Sequence, residues 1–298
     1  MVDVSGAALL TAPSPADEPE VSTERQVWRR IALGAELWVP AGVVVFLLLA
    51  CFVWPAVHHV PDPTKGSLSD VNLGLFSPHH LLGTDPLGND VLSRLLYGGR
   101  VSLEVGFGST VVGLTVGGGL GLVAGFRGGW VESVVMRVLD VFLAFPSLVL
   151  TIAITTYLGP SELHVIYAIS FFSIPAFARL ARSATQATRS QTYVTAARLS
   201  GAKDTSIMLG HIAPNILPQM ITFSLLHVAI AITVEASLSF LGLGVPPPGA
   251  SWGNMIELGQ QNIYGRPALI LVPSLLLFVT VMALNLLGDA VRRRWVAR

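Results

Sequence analysis

Residues able to do chemistry are sparse in this chain, and each grouping can be held against what its chemistry requires. Nucleotide hydrolysis needs a phosphate loop: Gly, four residues, then Gly-Lys and Ser or Thr, because backbone amides and the lysine together hold the phosphates. Gly83-Thr-Asp-Pro-Leu-Gly88 has the glycine spacing, but Asn89-Asp90 follows, with no lysine and an acid in place of the metal-binding hydroxyl. Gly119-Leu-Gly-Leu-Val-Ala124 imitates a dinucleotide fingerprint within an apolar run that no strand precedes. Neither supports nucleotide chemistry in this chain. His58-His59 and His79-His80 are adjacent pairs without the i, i+4 spacing of helical metal ligands, and no carboxylate pattern completes a site, so no metal site is expected. His164 and His227 fall in or near apolar runs, where a hydrogen-bonded structural role is expected. Cys51 is alone, which excludes intrachain disulfides and cysteine-ligated zinc. Glu104, Asp140, Glu235 and Asp289 are the acids in or near apolar runs. An ionisable group in lipid is a functional hypothesis by default. Asp140 lies one helical turn after Arg137, however, and Asp289 lies beside Arg292 and Arg293, so both read as ion-paired. The four acids do not form a relay spaced through a membrane.

That leaves a polar stretch, Tyr193–Asn215, between two apolar runs. Val194, Ala197 and Gly201 fall on one helical face, a small-residue face suited to close contact with a partner. Gly201 can take the left-handed conformation that ends a helix, and Asp204 can cap the next one. The expected product is a helical corner with Arg198 and Lys203 available to a partner, a lever gripped from outside the chain.

The elements that position this corner are membrane spans. Of 298 residues, 52% are hydrophobic and 12% charged, and the mean hydropathy is +0.65. A hydrocarbon core of about 30 Å needs about 20 helical residues. Six runs meet that length, at about 37–57, 101–126, 134–158, 163–182, 216–241 and 268–288. With the N-terminus inside, the cytoplasmic side collects Arg25, Arg29, Arg30, Arg127, Arg137, Arg182, Arg189, Arg198, Lys203 and the arginines from Arg292 onward. The outside receives only Lys65, Arg94, Arg100 and Arg266. The positive-inside rule therefore places both termini in the cytoplasm. Arg292–Arg294, beside a span, is not expected to bind nucleic acid. Residues 1–30, with Pro13, Pro15 and Pro19 among acids, read as a disordered cytoplasmic tail ending in a basic anchor, not as a secretory signal peptide.

Residues 31–298 then form one transmembrane domain with an outer segment at about 58–100, a cytoplasmic loop at about 183–215 and an outer loop at about 242–267. Asn89–Tyr97 has the apolar spacing of an amphipathic helix lying along the membrane surface. Gly113, Gly117, Gly121 and Gly125 recur every four residues, a nearly bare face that lets another helix approach closely. Pro146, Pro214 and Pro218 predict kinks. Gly242-Leu-Gly-Val-Pro-Pro-Pro-Gly249 cannot continue a helix, so the outer end turns into an irregular or re-entrant segment covered by protein.

Ala196-Ala197, three residues, Gly201, followed by His211-Ile-Ala-Pro-Asn215, resembles the EAA loop of ABC-importer permeases. Thr195 stands where that loop usually has glutamate, and Ala213 where leucine is usual. The run His80–Arg100, Gly128-Gly-Trp130, Ala144-Phe-Pro146, Glu235–Gly244, Ser251-Trp-Gly-Asn254 and Gly288-Asp289 are similar to C-type permeases of the dipeptide/oligopeptide/nickel family. The resemblance implies an all-α, type I importer fold in a bacterial inner membrane. It also implies a homologous second permease, one or two ABC ATPase subunits that bind ATP and Mg, and an extracytoplasmic solute-binding protein. Peptide is the default cargo, nickel or haem the alternatives, and no cofactor or catalytic residue is expected in this chain. Tyr193, Ala196, Ala197, Arg198, Gly201, Ala202, Lys203 and Asp204 would be the ATPase-coupling residues. Glu235, Ser239, Phe240, Trp252 and Asn254 are candidates for a translocation path or outer gate. A channel or proton-coupled carrier working without an ATPase is the competing class.

Overall fold

The computed structural model describes residues 23–58 and 60–296. Residues 1–22 of the expected tail, His59 and the last two residues lie outside them. No strand occurs among the described residues. Helix α1 (Thr23–Leu48) takes in residues 23–30, which the sequence reading assigned to the tail. It runs through a π-helical turn at Leu49–Val53 into α2 (Trp54–Val57). After the outer segment, α3 (Val91–Val112) passes through a second π-helical turn, Gly113–Gly117, into α4 (Gly118–Arg127). The sequence places a surface helix before a separate span here. Instead Val91–Arg127 is one 37-residue helical run. Val91, Arg94 and Leu95 are buried, so this first turn and a half packs into protein and does not lie on the membrane.

Gly128 and Gly129 turn the chain with φ of +68° and +54° into α5 (Gly129–Leu143). At the kink expected from Pro146 the third span is broken outright: α5 and α6 (Ser147–Leu158) are bent by 78° at Ala144-Phe-Pro146. The proline has no donor for the helix and pushes its neighbour out of helical conformation, which explains why the break falls there. Five helices among the described residues are long and apolar enough to span, and six if the bent pair is one crossing. Next come α7 (Glu162–Arg189), α8 (Thr192–Leu199) and α9 (Asp204–Ile207). A π-helical turn, Met208–Ile212, joins α9 to α10 (Ala213–Phe240). The chain closes with α11 (Trp252–Gln260) and α12 (Ala268–Val296).

The four glycines at steps of four face α7. A Cβ on Gly113 would come within 2.7 Å of Phe177 and Ser173, and one on Gly125 within 2.7 Å of the Arg182 carbonyl. Cβ atoms on Gly117 and Gly121 would run into the carbonyls of Ile174 and Ala178. Positions four apart drift about 40° per step on an α-helix. The wider turn at Gly113–Gly117 takes back part of that drift. Backbone can thus meet backbone along the whole seam, which is how helices gain packing energy in lipid.

Buried side chains form two larger clusters and one small one. Leu95, Leu103, Ile232, Trp252 and Leu284 join α3, α10, α11 and α12. Phe126, Phe177, Val194, Ile207, Ile212 and Met220 form the cytoplasmic-side cluster beneath α8 and α9.

Candidate functional site

Within the expected cytoplasmic loop, 183–215, α7 stays helical to Arg189, α8 follows, and helix resumes at Asp204. Ser200 ends α8, Gly201 turns the chain at φ +79°, and Lys203 is extended. An added Cβ on Gly201 meets nothing within 4 Å, so its requirement is conformational and not steric. The expected cap is corrected: Lys203 occupies the cap position, and Asp204 lies in the first turn, where its charge complements the helix dipole.

The small-residue face is also corrected. Val194 is buried, and Ala197 and Ala202 pack on the cluster of Phe126, Phe177, Ile207 and Ile212, so this face seals the corner onto its own chain. Arg198, expected to serve a partner, places its guanidinium 5.6 Å over the Phe126 ring, with Arg189 at 6.0 Å on the same ring. Exposed on the corner are Tyr193, Ala196, Arg198, Gly201, Lys203 and Asp204, together with two residues the sequence reading missed. Leu199 is 84% exposed and Leu209 is 67% exposed. The missed signal was legible: Leu199 lies five residues after the buried Val194, on the opposite side of α8. Lys203, Thr205, Ser206, Leu209 and Gly210 line an open groove of about 590 Å³ beside it.

Ion pairs brace the corner from behind. Glu132 of α5 pairs with Arg182 and accepts from Gln186 Nε2 at 2.9 Å. Asp140 accepts from Arg179 Nη2 at 2.5 Å, across to α7, and not from Arg137 within its own helix. Arg293 reaches Glu36 of α1 at 3.2 Å in place of Asp289. In each case the partner lies on a neighbouring helix, which spacing along one helix cannot reveal.

At the outer end, Glu235 is fully buried. Its Oε2 accepts from Ser102 Oγ of α3 and its Oε1 from Ser239 Oγ, both at 2.7 Å. Trp252 donates Nε1 to the Leu95 carbonyl at 3.0 Å and its backbone N–H to Ser102 Oγ at 3.4 Å. Asn254 closes a capping box with Ser251 and donates to the Gly249 carbonyl at 3.0 Å, fixing the proline loop. Glu235, Ser239, Trp252 and Asn254 thus bolt α11 to α3 and α10 and are turned away from any open surface; of the five expected here, only Phe240 is exposed. Glu235→Ala is expected to destabilise the protein by about 2 kcal/mol, since buried hydroxyl partners are left unmet. Glu235→Gln, which keeps the shape, should lose less; thermal unfolding in detergent distinguishes them.

The outer segment is tied by buried charge. Asp85 Oδ1 accepts from the amides of Leu87 and Asn89 at 2.8 and 2.9 Å, and Arg94 Nε lies 3.5 Å from Oδ2. Asp90 caps α3 through Ser93 N at 2.7 Å and meets His80 Nδ1 at 2.8 Å. Arg266 donates to the Leu73 carbonyl at 2.7 Å, joining the two outer loops. No group of three or more metal-ligating side chains occurs among the described residues. His164 contacts the Gly159 carbonyl at 2.8 Å, and His227 pairs with Thr110 at 3.0 Å beside Phe177. Arg94→Met strands Asp85 in the interior and is expected to cost on the order of 3 kcal/mol, read as a fall in unfolding temperature.

A bundle of long apolar helices, seamed by glycine and carrying one exposed helical corner on its cytoplasmic side, defines a polytopic membrane permease. Residues 117–298 match the family model described as binding-protein-dependent transport system inner membrane component, and the chain belongs to that family of multi-pass inner-membrane proteins. Among curated relatives, the glutathione transport system permease protein GsiD of Pectobacterium atrosepticum is 40% identical over 96% of this chain and 95% of its own length. The dipeptide transport system permease protein DppC of Alkalihalophilus pseudofirmus is 34% identical over 94% of this chain and 92% of its own. A chain of the MetNI methionine ABC transporter, solved in inward-facing conformations, shares the fold with a TM-score of 0.55. It is 18% identical and covers 67% of this chain and 95% of its own.

Proposed function

We propose that this chain is the membrane-spanning permease subunit of an ATP-driven importer of short peptides. Relatives named for glutathione and dipeptide transport support the cargo class. The carrying observation is the cytoplasmic corner: Val194, Ala197 and Ala202 pack inward while Tyr193, Leu199 and Leu209 stand exposed at a fixed turn. An exposed apolar group on a rigid corner is the form of a protein contact. In this reading Tyr193, Ala196, Leu199, Gly201, Lys203 and Asp204 seat in a groove of an ABC ATPase, while Ala197, Arg198 and Ala202 hold the corner's shape. ATP and Mg are bound by one or two such ATPases, and this chain needs no cofactor. A homologous second permease completes the path, and an extracytoplasmic solute-binding protein delivers cargo.

The test is an affinity purification of the tagged chain from native membranes, with co-purifying proteins identified by mass spectrometry. Recovery of a second permease and phosphate-loop ATPases is expected. Reproducible recovery of the chain alone, active in vesicles without ATP, would favour a carrier and overturn the proposal. A carrier leaves the exposed Leu199 without a role.

A further inference from the structure

Arginines gather where α4 turns into α5, and one carboxylate answers them. Arg127 ends α4 and Arg189 ends α7, so both charges stand where spans reach the cytoplasmic side. Arg198 returns from α8 to share the Phe126 ring with Arg189. An added Cβ on Gly128 would lie 3.2 Å from Arg189 Nη1, so that guanidinium sits against the turn itself. Glu132, the nearby acid, is taken by Arg182 and Gln186. Arg127, Arg189 and Arg198 enter no ion pair among the described residues. Two like charges held on one ring repel, and no carboxylate of the described residues pairs with either.

An apolar track runs on from this charge. Trp130, Val134, Val138 and Val141 of α5 are exposed and recur every three or four residues, which puts them on one face. Arg137 lies on the same face, is exposed, and also forms no ion pair among the described residues. Helical side chains lean toward the helix N-terminus, which for α5 is its cytoplasmic end. Arg137 is therefore aimed back at the same turn, its stem along the valines. A cluster of cations alone suits a free phosphate or an acidic protein equally well. The adjoining apolar face suits a ligand with negative charge at one end and hydrocarbon at the other.

We propose that this turn binds an anionic phospholipid of the cytoplasmic leaflet. Its phosphate sits among Arg127, Arg137, Arg189 and Arg198, and an acyl chain follows the track from Trp130 to Val141. Tryptophan is enriched at the headgroup level of membrane proteins, and basic pockets beside spans on the cytoplasmic side suit such headgroups. Arg189 and Arg198 also hold the corner through Phe126, so the headgroup offsets their repulsion and steadies α8.

The test is native mass spectrometry of the full chain, with the subunits that co-purify, after equilibration with equal amounts of phosphatidylglycerol and phosphatidylcholine in detergent. Preferential retention of phosphatidylglycerol is expected. An arginine facing an anionic headgroup is worth about fivefold in occupancy. Arg127→Gln should lower the preference by about that factor, and Arg127→Gln with Arg137→Gln by on the order of twentyfold. Arg127→Lys, which keeps the charge, should retain most of it, and Lys203→Gln, on the far side of the corner, should retain it all. Size exclusion confirms that each variant remains monodisperse. Equal retention of the two lipids by the parent overturns the proposal, as does a preference that the double variant leaves intact. An equal loss in Lys203→Gln would reduce the effect to general surface charge and overturn it too. Displacement of the lipid by excess inorganic phosphate would make this a site for a free anion, against the lipid assignment.

Discussion

Replacing Gly121 by valine is expected to abolish recovery of the folded protein. A Cβ there runs into the Ala178 carbonyl and comes within 2.7 Å of Ala181 Cβ, on helix backbones that cannot rotate away as a flexible side chain could. Overpacking a core commonly costs about 1–3 kcal/mol. Here the obstruction is backbone, and relieving it means parting α4 from α7 along a seam that also includes Gly117 and Gly125. In lipid there is no hydrophobic gain to offset lost packing. Size-exclusion yield and thermal unfolding in detergent report the outcome. Gly119 is the internal control: it lies in the same helix with nothing within 4 Å of an added Cβ. Gly119→Ala should fold at least as well as the parent, because alanine is favoured over glycine in a helix by about 1 kcal/mol. Equal loss in both variants would mean that the seam carries no special constraint.

At the cytoplasmic corner the expected effect is on transport and not on folding. Leu199→Asp alters a side chain that is 84% exposed, so stability should change by no more than about 0.5 kcal/mol. If Leu199 anchors an ATPase contact, the new charge is driven into an apolar groove, and central anchors of that kind commonly cost about 2 kcal/mol or more. Reversing a two-state preference from 1:99 to 99:1 takes about 5.5 kcal/mol of differential binding, transmitted through such contacts. Uptake is therefore expected to fall at least about tenfold, with the chain still assembled in the membrane. Gly201→Trp should likewise uncouple transport, since a left-handed residue with a Cβ costs about 1–2 kcal/mol and reshapes the turn. Gly201→Asn, which tolerates that conformation, should retain most uptake. Parallel assays of ATP hydrolysis and dipeptide uptake in vesicles separate uncoupling from misassembly.

The spans, the glycine spacing and the turn at Gly201 were legible because each depends on local chemistry: run length, a repeat of four, a residue without a Cβ. Long-range pairing was not. Asp140 has an arginine one turn away in sequence, yet it bonds Arg179 on another helix. Glu235 reads from sequence as an acid in or near an apolar run and a candidate for the path or outer gate, but it is buried, held by Ser102 and Ser239. Asn89–Tyr97 has the periodicity of a surface helix, and the same periodicity serves a helix whose polar side holds the buried Arg94–Asp85 pair. Amphipathic spacing states that two faces differ without stating what covers each. The same ambiguity hid the coupling surface: the small face of α8 was expected to meet the partner, whereas Val194 and Ala197 meet Phe126 and its neighbours.

The most direct measurement is uptake of a labelled dipeptide into vesicles that contain the co-purified complex, supplied with its solute-binding protein, with and without ATP. Uptake that requires ATP, and that Leu199→Asp reduces while the complex remains intact, is the expected result. Uptake of equal rate without ATP, unaffected by Leu199→Asp, would contradict a permease driven through its cytoplasmic corner.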